Sequence, residues 1–446
     1  MSSSITDYLY PSQRASYTEQ HNRMVDATTR LKEDTDTRSE KLTKSLFAVS
    51  GTSGNEGLIS GPAGARIKNF LAMLEEYMAS AEDGAESEVT YDSNGVATSA
   101  FGGDGDDEIE GYDDLMASGG AGNDRISGYD RLFALGGDGD DYISGYDNTQ
   151  ANGNDGNDQI YGYDNLRAHG GQGNDYISGY NNLRADGGEG DDVIDGYDNV
   201  VVNGGAGNDR INAYDNATVN AGSGDDKVYV YSNATISLGS GDDYVDATGK
   251  NNRVDGGEGD DRIRAGINAV VNGGSGDDYI TADRHSIVDG GEGDDHIVAY
   301  TDSVVRGGEG DDYILVNSNA TILYDAGDGL DIMDASNALQ SSNVQFGPGV
   351  SADDLDIVQY GEDLMINVGG KGDGILVRGG ANGKVPTLEF SDGQSLNAEG
   401  IAAVSRVADA PPSDRLAKAI AYEDGGLRVT LDNLIKLDAA AIRVPE

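Results

Sequence analysis

Residues 170–186 read GGQGNDYISGYNNLRAD, and the sequence on either side says nearly the same thing again. Residues 153–169 are GNDGNDQIYGYDNLRAH, and residues 187–203 are GGEGDDVIDGYDNVVVN. With the aspartate of G-G-x-G-[D/N]-D-x-I as an anchor, the repeat sets Asp107, Asp124, Asp141, Asp158, Asp175, Asp192, Asp209, Asp226, Asp243, Asp261, Asp278, Asp295, Asp312 and Asp331 in one column. The spacing is 17 residues, except for 18 before Asp261 and 19 before Asp331. A short fixed period with one apolar set per unit marks a solenoid.

Two residues after the anchor stands an apolar column that includes Ile109, Ile126, Ile143, Ile160, Ile177 and Ile194 and ends at Met333. Two further on the residue is small, as at Gly111, Gly145, Ala213, Ala265 and Ala299, and a second alternating pair follows, such as Leu166 with Ala168. Alternation with period two turns one side of a strand inward. One unit therefore reads as one coil, made of a Gly-rich turn, a strand, a second turn and a second strand. Strands ~4.8 Å apart make the stack a rod on the order of 65 Å long. One coil buries almost nothing, so only the stack is stable.

The chain has 67 Gly, 80 Asp plus Glu against 30 Lys plus Arg, a formal charge of −50 and no Cys. That charge repels nucleic acid and anionic lipid and requires counter-cations if the chain is to fold. The excess acid lies in the repeats, because residues 1–78 carry 9 basic and 10 acidic groups and residues 401–446 carry 6 and 7. This placement points to bound cations rather than general solvation. The absence of cysteine excludes disulfides and thiolate metal sites. The first thirty residues hold no apolar run of a secretory leader, and no apolar run approaches the ~18 residues of a membrane span.

GGAGNDRIS at Gly119, GGDGDDYIS at Gly136 and GGEGDDHIV at Gly290 resemble the calcium-binding nonapeptide of the RTX (repeats-in-toxin) family. The resemblance implies a mainly β fold: a right-handed parallel β-roll of about 14 coils with Ca²⁺ held between like turns. RTX rolls commonly carry two nonapeptides per coil, whereas the second edge here reads GYDN, so a single calcium row is expected. The chemistry agrees. Ca²⁺ takes six to eight hard oxygens from carboxylates and backbone carbonyls, and glycines let a turn aim its carbonyls at one point. Each anchor aspartate would supply a carboxylate. A second acid at Asp106, Asp140, Asp191, Asp225, Asp242, Asp260, Asp277, Asp294 and Asp311 would strengthen the field. Fourteen turns leave room for at most about thirteen ions. A buried isoleucine is worth ~1.5–3 kcal/mol while ordering costs ~1–2 kcal/mol per residue, so folding is expected to depend on calcium. The unbroken isoleucine column argues against a disordered Gly/Asp-rich tract.

On the other edge, Tyr stands five residues past the anchor at Tyr112, Tyr129, Tyr146, Tyr163, Tyr180, Tyr197, Tyr214, Tyr231 and Tyr300. Asn148, Asn165, Asn182, Asn199, Asn216 and Asn233 follow two later, with Asn268 and Asn319 beyond. Asparagine suits left-handed turn positions and stacked amide ladders. A structural second turn with tyrosines stacked along the rod is one reading. The other is a flat repetitive surface for polysaccharide, ice or a neighbouring rod. From Thr248 to His285 the pattern lapses, which would interrupt such a face.

Four segments are expected: a helical N-terminal segment with a hairpin over 1–101, the roll over 102–334, a β-rich cap over 335–403 and a tail over 404–446. In the first, Ile67, Phe70, Leu71, Leu74, Tyr77 and Met78 form a helical stripe, and Val89–Phe101 reads as a hairpin into the first coil. Residues 344–368, 375–379 and 388–401 resemble the capping segment that follows RTX repeats, with DGQSL at 392–396 marking its last turn. RTX relatives carry an uncleaved type I secretion signal where the tail lies, which implies export through type I secretion machinery. No H-E-x-x-H surrounds His21, His169, His285 or His296, and no G-x-S-x-G or Walker A run occurs. His296 reads as a solvated outward side chain. The sequence describes a non-enzymatic, secreted or cell-surface calcium-binding protein, structural by self-association in an S-layer, filament or biofilm, or else adhesive through its Tyr/Asn edge.

Overall fold

The computed structural model describes residues 88–91, 97–334, 341–369 and 372–408. The helical stripe at 67–78 and the tail beyond 408 lie outside them. Within them the chain winds as a mainly β, parallel solenoid of about 14 turns with the 17-residue period. Strands such as Tyr176–Asn181 stack in register on Gln159–Asp164 and Val193–Asp198, aligning Ile160, Ile177 and Ile194. Strands such as Arg184–Glu189 form the opposite sheet, in register with Arg167–Gln172 and Val201–Ala206. The two interruptions of the period are absorbed locally. The extra residue before Asp261 produces a register shift between Ala247 and Lys250. The extra pair before Asp331 enlarges the Gly turn, where the Asp325 N–H donates to Asp328 Oδ2 at 2.7 Å.

Each coil buries more than its isoleucine. Ile177, Leu183 and Ala185 are all buried in one continuous core that runs from Ala100 to Ile401. The small-residue column is explained by the corner that follows it. A Cβ on Gly179 would lie 2.9 Å from Leu183 Cδ1, and one on Gly162 would lie 2.8 Å from Leu166 Cβ. Where the corner residue shrinks, the column residue grows: Ala213 faces Ala217, Val230 faces Ala234, and Val316 faces Ala320. The pair shares a limited volume, as close packing demands. Gly179→Val is therefore expected to destabilise the roll by about 1–3 kcal/mol through overpacking. Adding Leu183→Ala should recover most of the loss, because it reproduces the Val230/Ala234 pair. Thermal melts of the single and double variants check this, and failure of the second change to rescue would contradict it.

Both ends of the described solenoid are covered. Glu88–Tyr91 pairs antiparallel with Ala97–Asp104, the strand that enters the first coil. At the far end, Gly374–Arg378 pairs with the last coil strand Leu330–Asp334, and Asp363–Val368 and Leu355–Tyr360 extend that sheet antiparallel. On the opposite sheet, Asn343–Phe346 and Thr387–Glu389 continue the parallel stack, and Ser395–Leu396 closes a hairpin around DGQ. The rings of Tyr324, Phe346 and Phe390 plug the space between. Such caps remove the open strand edges that would template aggregation. Among the described residues the one α-helix is Ala398–Val404, near the C-terminal end rather than the N-terminal end. The chain then pairs Arg406–Val407 with Leu355–Tyr360, and Arg406 bridges Asp356 at 2.6 Å.

Candidate metal-binding edge

The turn between the two sheets is built on glycine. Gly188 and Gly190 sit at φ 125° and 124°, a region that side-chain-bearing residues rarely adopt. Each anchor aspartate follows such a turn and points its carboxyl back into it. One oxygen holds the stack together. Oδ1 of each anchor from Asp124 onward accepts the backbone N–H of the anchor in the preceding coil, as in Asp107 N–H to Asp124 Oδ1, Asp158 N–H to Asp175 Oδ1 and Asp175 N–H to Asp192 Oδ1, all 2.8 Å. The bonds continue from Asp192 to Asp209 at 2.8 Å and, at the far end, from Asp312 to Asp331 at 3.3 Å. The sequence marks these residues as a column. Their part as a hydrogen-bonded ladder is not legible from spacing alone.

The other oxygen has no partner. Oδ2 of Asp124, Asp141, Asp158, Asp175, Asp192, Asp209, Asp226, Asp243, Asp261, Asp278, Asp295 and Asp312 is buried without a hydrogen bond, and these residues are at most 2% exposed. A buried carboxylate oxygen left unpaired is costly. Burial accordingly pushes the carboxyls up, the ladder N–H offsets part of the rise, and neighbouring carboxylates add to it. Asp158 is raised to about 6, Asp192 and Asp209 to about 7, Asp175 and Asp261 to about 8, and Asp295 to about 9. Asp331 is raised well above the ordinary carboxylate range, first by burial and then by Asp312. Asp107, at the first turn, is raised by burial and by Asp106.

The first glycine of each turn completes a small cradle. A Cβ on Gly170 would overlap Oδ2 of Asp175 and lie 2.6 Å from the carbonyl oxygen of Gly187 in the next coil. The same pairing of an anchor oxygen with the next coil's carbonyl recurs at Gly136, Gly153 and Gly187. Among the described residues no group of three or more His, Asp or Glu converges as a metal cluster. A cation on this edge would therefore draw one carboxylate per turn and complete its shell with backbone carbonyls. That all-oxygen donor set fits Ca²⁺.

The second acid column lies outside the cradle and is exposed. Its side chains form a ladder in the opposite sense, with the Asn123 N–H donating to Asp106 Oδ1 and the Asn157 N–H to Asp140 Oδ1, both 2.8 Å. It reinforces the turn from the solvent side and adds negative potential there.

The repeat itself is recognised as the RTX calcium-binding nonapeptide over residues 117–130, 167–182, 184–211, 238–269 and 270–284. These stretches are RTX calcium-binding nonapeptide repeats. None of the curated proteins compared with it matches the chain. The Asp-rich loops of the RTX Ca²⁺-binding type are thus present in register on one edge of the solenoid. RTX repeat solenoids are structural, non-catalytic domains.

The second edge is also regular. Asn148, Asn165, Asn182, Asn199, Asn216, Asn233, Asn268 and Asn319 all adopt positive φ, between 54° and 61°. Neighbouring amides bond along the rod, as from Asn182 Nδ2 to Asn165 Oδ1 at 3.1 Å. The backbone corner persists through the expected lapse, where Asn251 and His285 hold φ 58° and 62°. The tyrosines are lost there, and one asparagine gives way to His285. Tyr112 to Tyr214 form a continuous stack, with centroids 4.7 Å apart at Tyr197/Tyr214 and 5.1 Å at Tyr146/Tyr163. His296 is not a freely solvated side chain, for its ring lies between those of Tyr279 and Tyr313 at 4.8 and 4.7 Å. No helix among the described residues is long and apolar enough to cross a membrane.

Proposed function

We propose that this RTX chain is an exported structural protein of the cell surface or extracellular matrix, a component of an S-layer, filament or biofilm, which folds on meeting calcium. The observation that carries the reading is the row of buried carboxylate oxygens, one per turn, with no hydrogen-bond partner. Asp107, Asp124, Asp141, Asp158, Asp175, Asp192, Asp209, Asp226, Asp243, Asp261, Asp278, Asp295, Asp312 and Asp331 are the proposed ligand column. Bound calcium would supply positive charge between turns, up to about thirteen ions or about 26 charges, against the formal −50 of the chain. The residues themselves hold the coils in register through Oδ1 and leave Oδ2 for the cation. Inside a cell, where free calcium is scarce, the chain stays unfolded and passes through type I secretion machinery, and outside it folds.

Electron microscopy with and without calcium tests the assembly. Ordered filaments or sheets are expected in millimolar calcium, and monodisperse rods under both conditions would contradict it. Export is proposed to depend on the tail. Because the cap strand runs to Val407, the informative deletion is 409–446, which should retain the protein inside the cell. Undiminished secretion of that truncation would contradict a C-terminal signal.

A second reading rests on the exposed tyrosines, which are 45–68% accessible from Tyr112 to Tyr231. They would grip a repetitive partner such as surface polysaccharide. Their geometry weakens it: Tyr146 and Tyr163 are 6° from parallel, so each ring covers its neighbour's face and solvent meets edges and hydroxyls. Replacing Tyr146, Tyr163, Tyr180 and Tyr197 by Ser should abolish adhesion without unfolding if this reading holds.

A further inference from the structure

The first position of the turn is glycine in eleven of the thirteen turns from Gly102 to Gly307. The two exceptions are adjacent: Ala221 precedes Asp226, and Leu238 precedes Asp243. Both residues are fully buried members of the main hydrophobic core. They hold the same register as the glycines they replace, since Gly205 pairs with Gly222 and Gly222 with Gly239.

That register decides what their side chains do. In the preceding turn, a Cβ on Gly204 would overlap both Oδ2 of Asp209 and the carbonyl oxygen of Ala221. Having no side chain, the glycine lets the anchor oxygen and that carbonyl both reach the point a Cβ would take. Ala221 and Leu238 carry a Cβ at this position of the turn, where one built on Gly204 would lie between the anchor oxygen and the next coil's carbonyl. The ladder itself is intact through these turns. The Asp209 N–H still donates to Asp226 Oδ1 at 2.8 Å, and the Asp226 N–H to Asp243 Oδ1 at 2.7 Å. What differs is the residue that opens the turn.

We infer that the calcium row is interrupted in the middle of the roll, where Ala221 and Leu238 fill the cradles beside Asp226 and Asp243 with the protein's own carbon. The inference rests on the reading of the anchor column as the calcium edge. It divides that edge into two loaded blocks, seven turns from Asp107 to Asp209 and four from Asp261 to Asp312. Between them lies an apolar girdle in which Val219, Ala221, Val228, Ile236, Leu238 and Val245 are buried. Its coils carry side-chain packing where the others carry a cation. The extra residue before Asp261 falls at the far side of this girdle, so both departures from the repeat coincide.

Calcium stoichiometry, measured on the folded full-length protein by equilibrium dialysis and by native mass spectrometry, tests this. The double variant Ala221→Gly/Leu238→Gly is expected to bind two more ions than the parent. Because that variant removes core volume, the reverse substitution is measured beside it: Gly170→Ala should bind one ion fewer. An unchanged count in Gly170→Ala, with the parent binding calcium, overturns the inference and leaves the calcium reading intact. A parent that binds no calcium overturns both. A parent count unaffected by Ala221→Gly/Leu238→Gly, in a folded variant, also overturns the interruption.

Discussion

In chelator, acidifying the protein from pH ~8 to pH ~4 is expected to fold the roll that removal of calcium unfolds. The carboxyls of Asp158, Asp192, Asp175 and Asp295 are raised from 3.8 to about 6, 7, 8 and 9, chiefly by burial. In the unfolded chain the same groups titrate near the ordinary ~3.9. A carboxyl whose folded value is raised contributes no penalty below the unfolded value. Its penalty grows as pH climbs from there and is complete once pH passes the folded value. The window therefore spans from about 4 to about 9, and stability falls across it as pH rises. Every tenfold weakening of a carboxyl's acidity on folding costs about 1.4 kcal/mol once the group is ionised, so the sum over the turns exceeds the stability of an ordinary domain. Protons thus substitute for calcium, since both neutralise Oδ2. Far-UV circular dichroism in EGTA across this range checks it. Loss of β-structure on acidification would show that the buried anchors are not what opposes folding.

Replacing Asp175, Asp192 and Asp209 together by asparagine should stabilise the roll in chelator and destabilise it in calcium. Asparagine keeps the Oδ1 acceptor, so the Asp158 N–H and its successors retain the 2.8 Å ladder bonds. Its Nδ2 can donate toward the next coil's carbonyl, which already borders the cradle at Gly170. Three buried charges are removed, which helps the metal-free state. Three anionic ligands are removed as well, and the calcium-loaded state loses the binding energy that had stabilised it. Shifts in melting temperature on the order of several degrees are expected, upward in EGTA and downward in calcium. The alanine triple variant separates the two roles. It loses the ladder acceptor too, leaving buried N–H groups at about 1–3 kcal/mol each, and should be less stable than the asparagine variant in both solutions. An asparagine variant with the same sign in both would contradict the division of labour between Oδ1 and Oδ2.

Much of this fold was legible because the period is short and the apolar column is unbroken. Ile177 and its equivalents define the inside, and Asn182 with its equivalents defines a left-handed corner that only a few residue types occupy without strain. The energetic reading was less complete. Counting one isoleucine per coil overlooked the corner Leu183 and its exchange of volume with Gly179, which emerges only when the turn is seen closing on itself. The anchor column was found from spacing, but a carboxylate has two oxygens, and spacing cannot say that one is a hydrogen-bond acceptor and the other is left over. Nor can it separate glycines kept for backbone conformation, such as Gly188, from those kept for missing volume, such as Gly170. His296 looked solvated because its neighbours in the stack, Tyr279 and Tyr313, are each 17 residues away.

The most direct test of calcium-coupled folding is a calcium titration of the full-length chain at neutral pH, starting in EGTA and followed by far-UV circular dichroism. The expected trace begins with little β-structure across the repeats and rises cooperatively as calcium approaches millimolar concentration, because the metal binds the stacked turns and not the unfolded chain. A β-solenoid spectrum already complete in EGTA at neutral pH, and unchanged by calcium, would falsify the claim. It would mean that the isoleucine core and the asparagine ladder suffice without a cation.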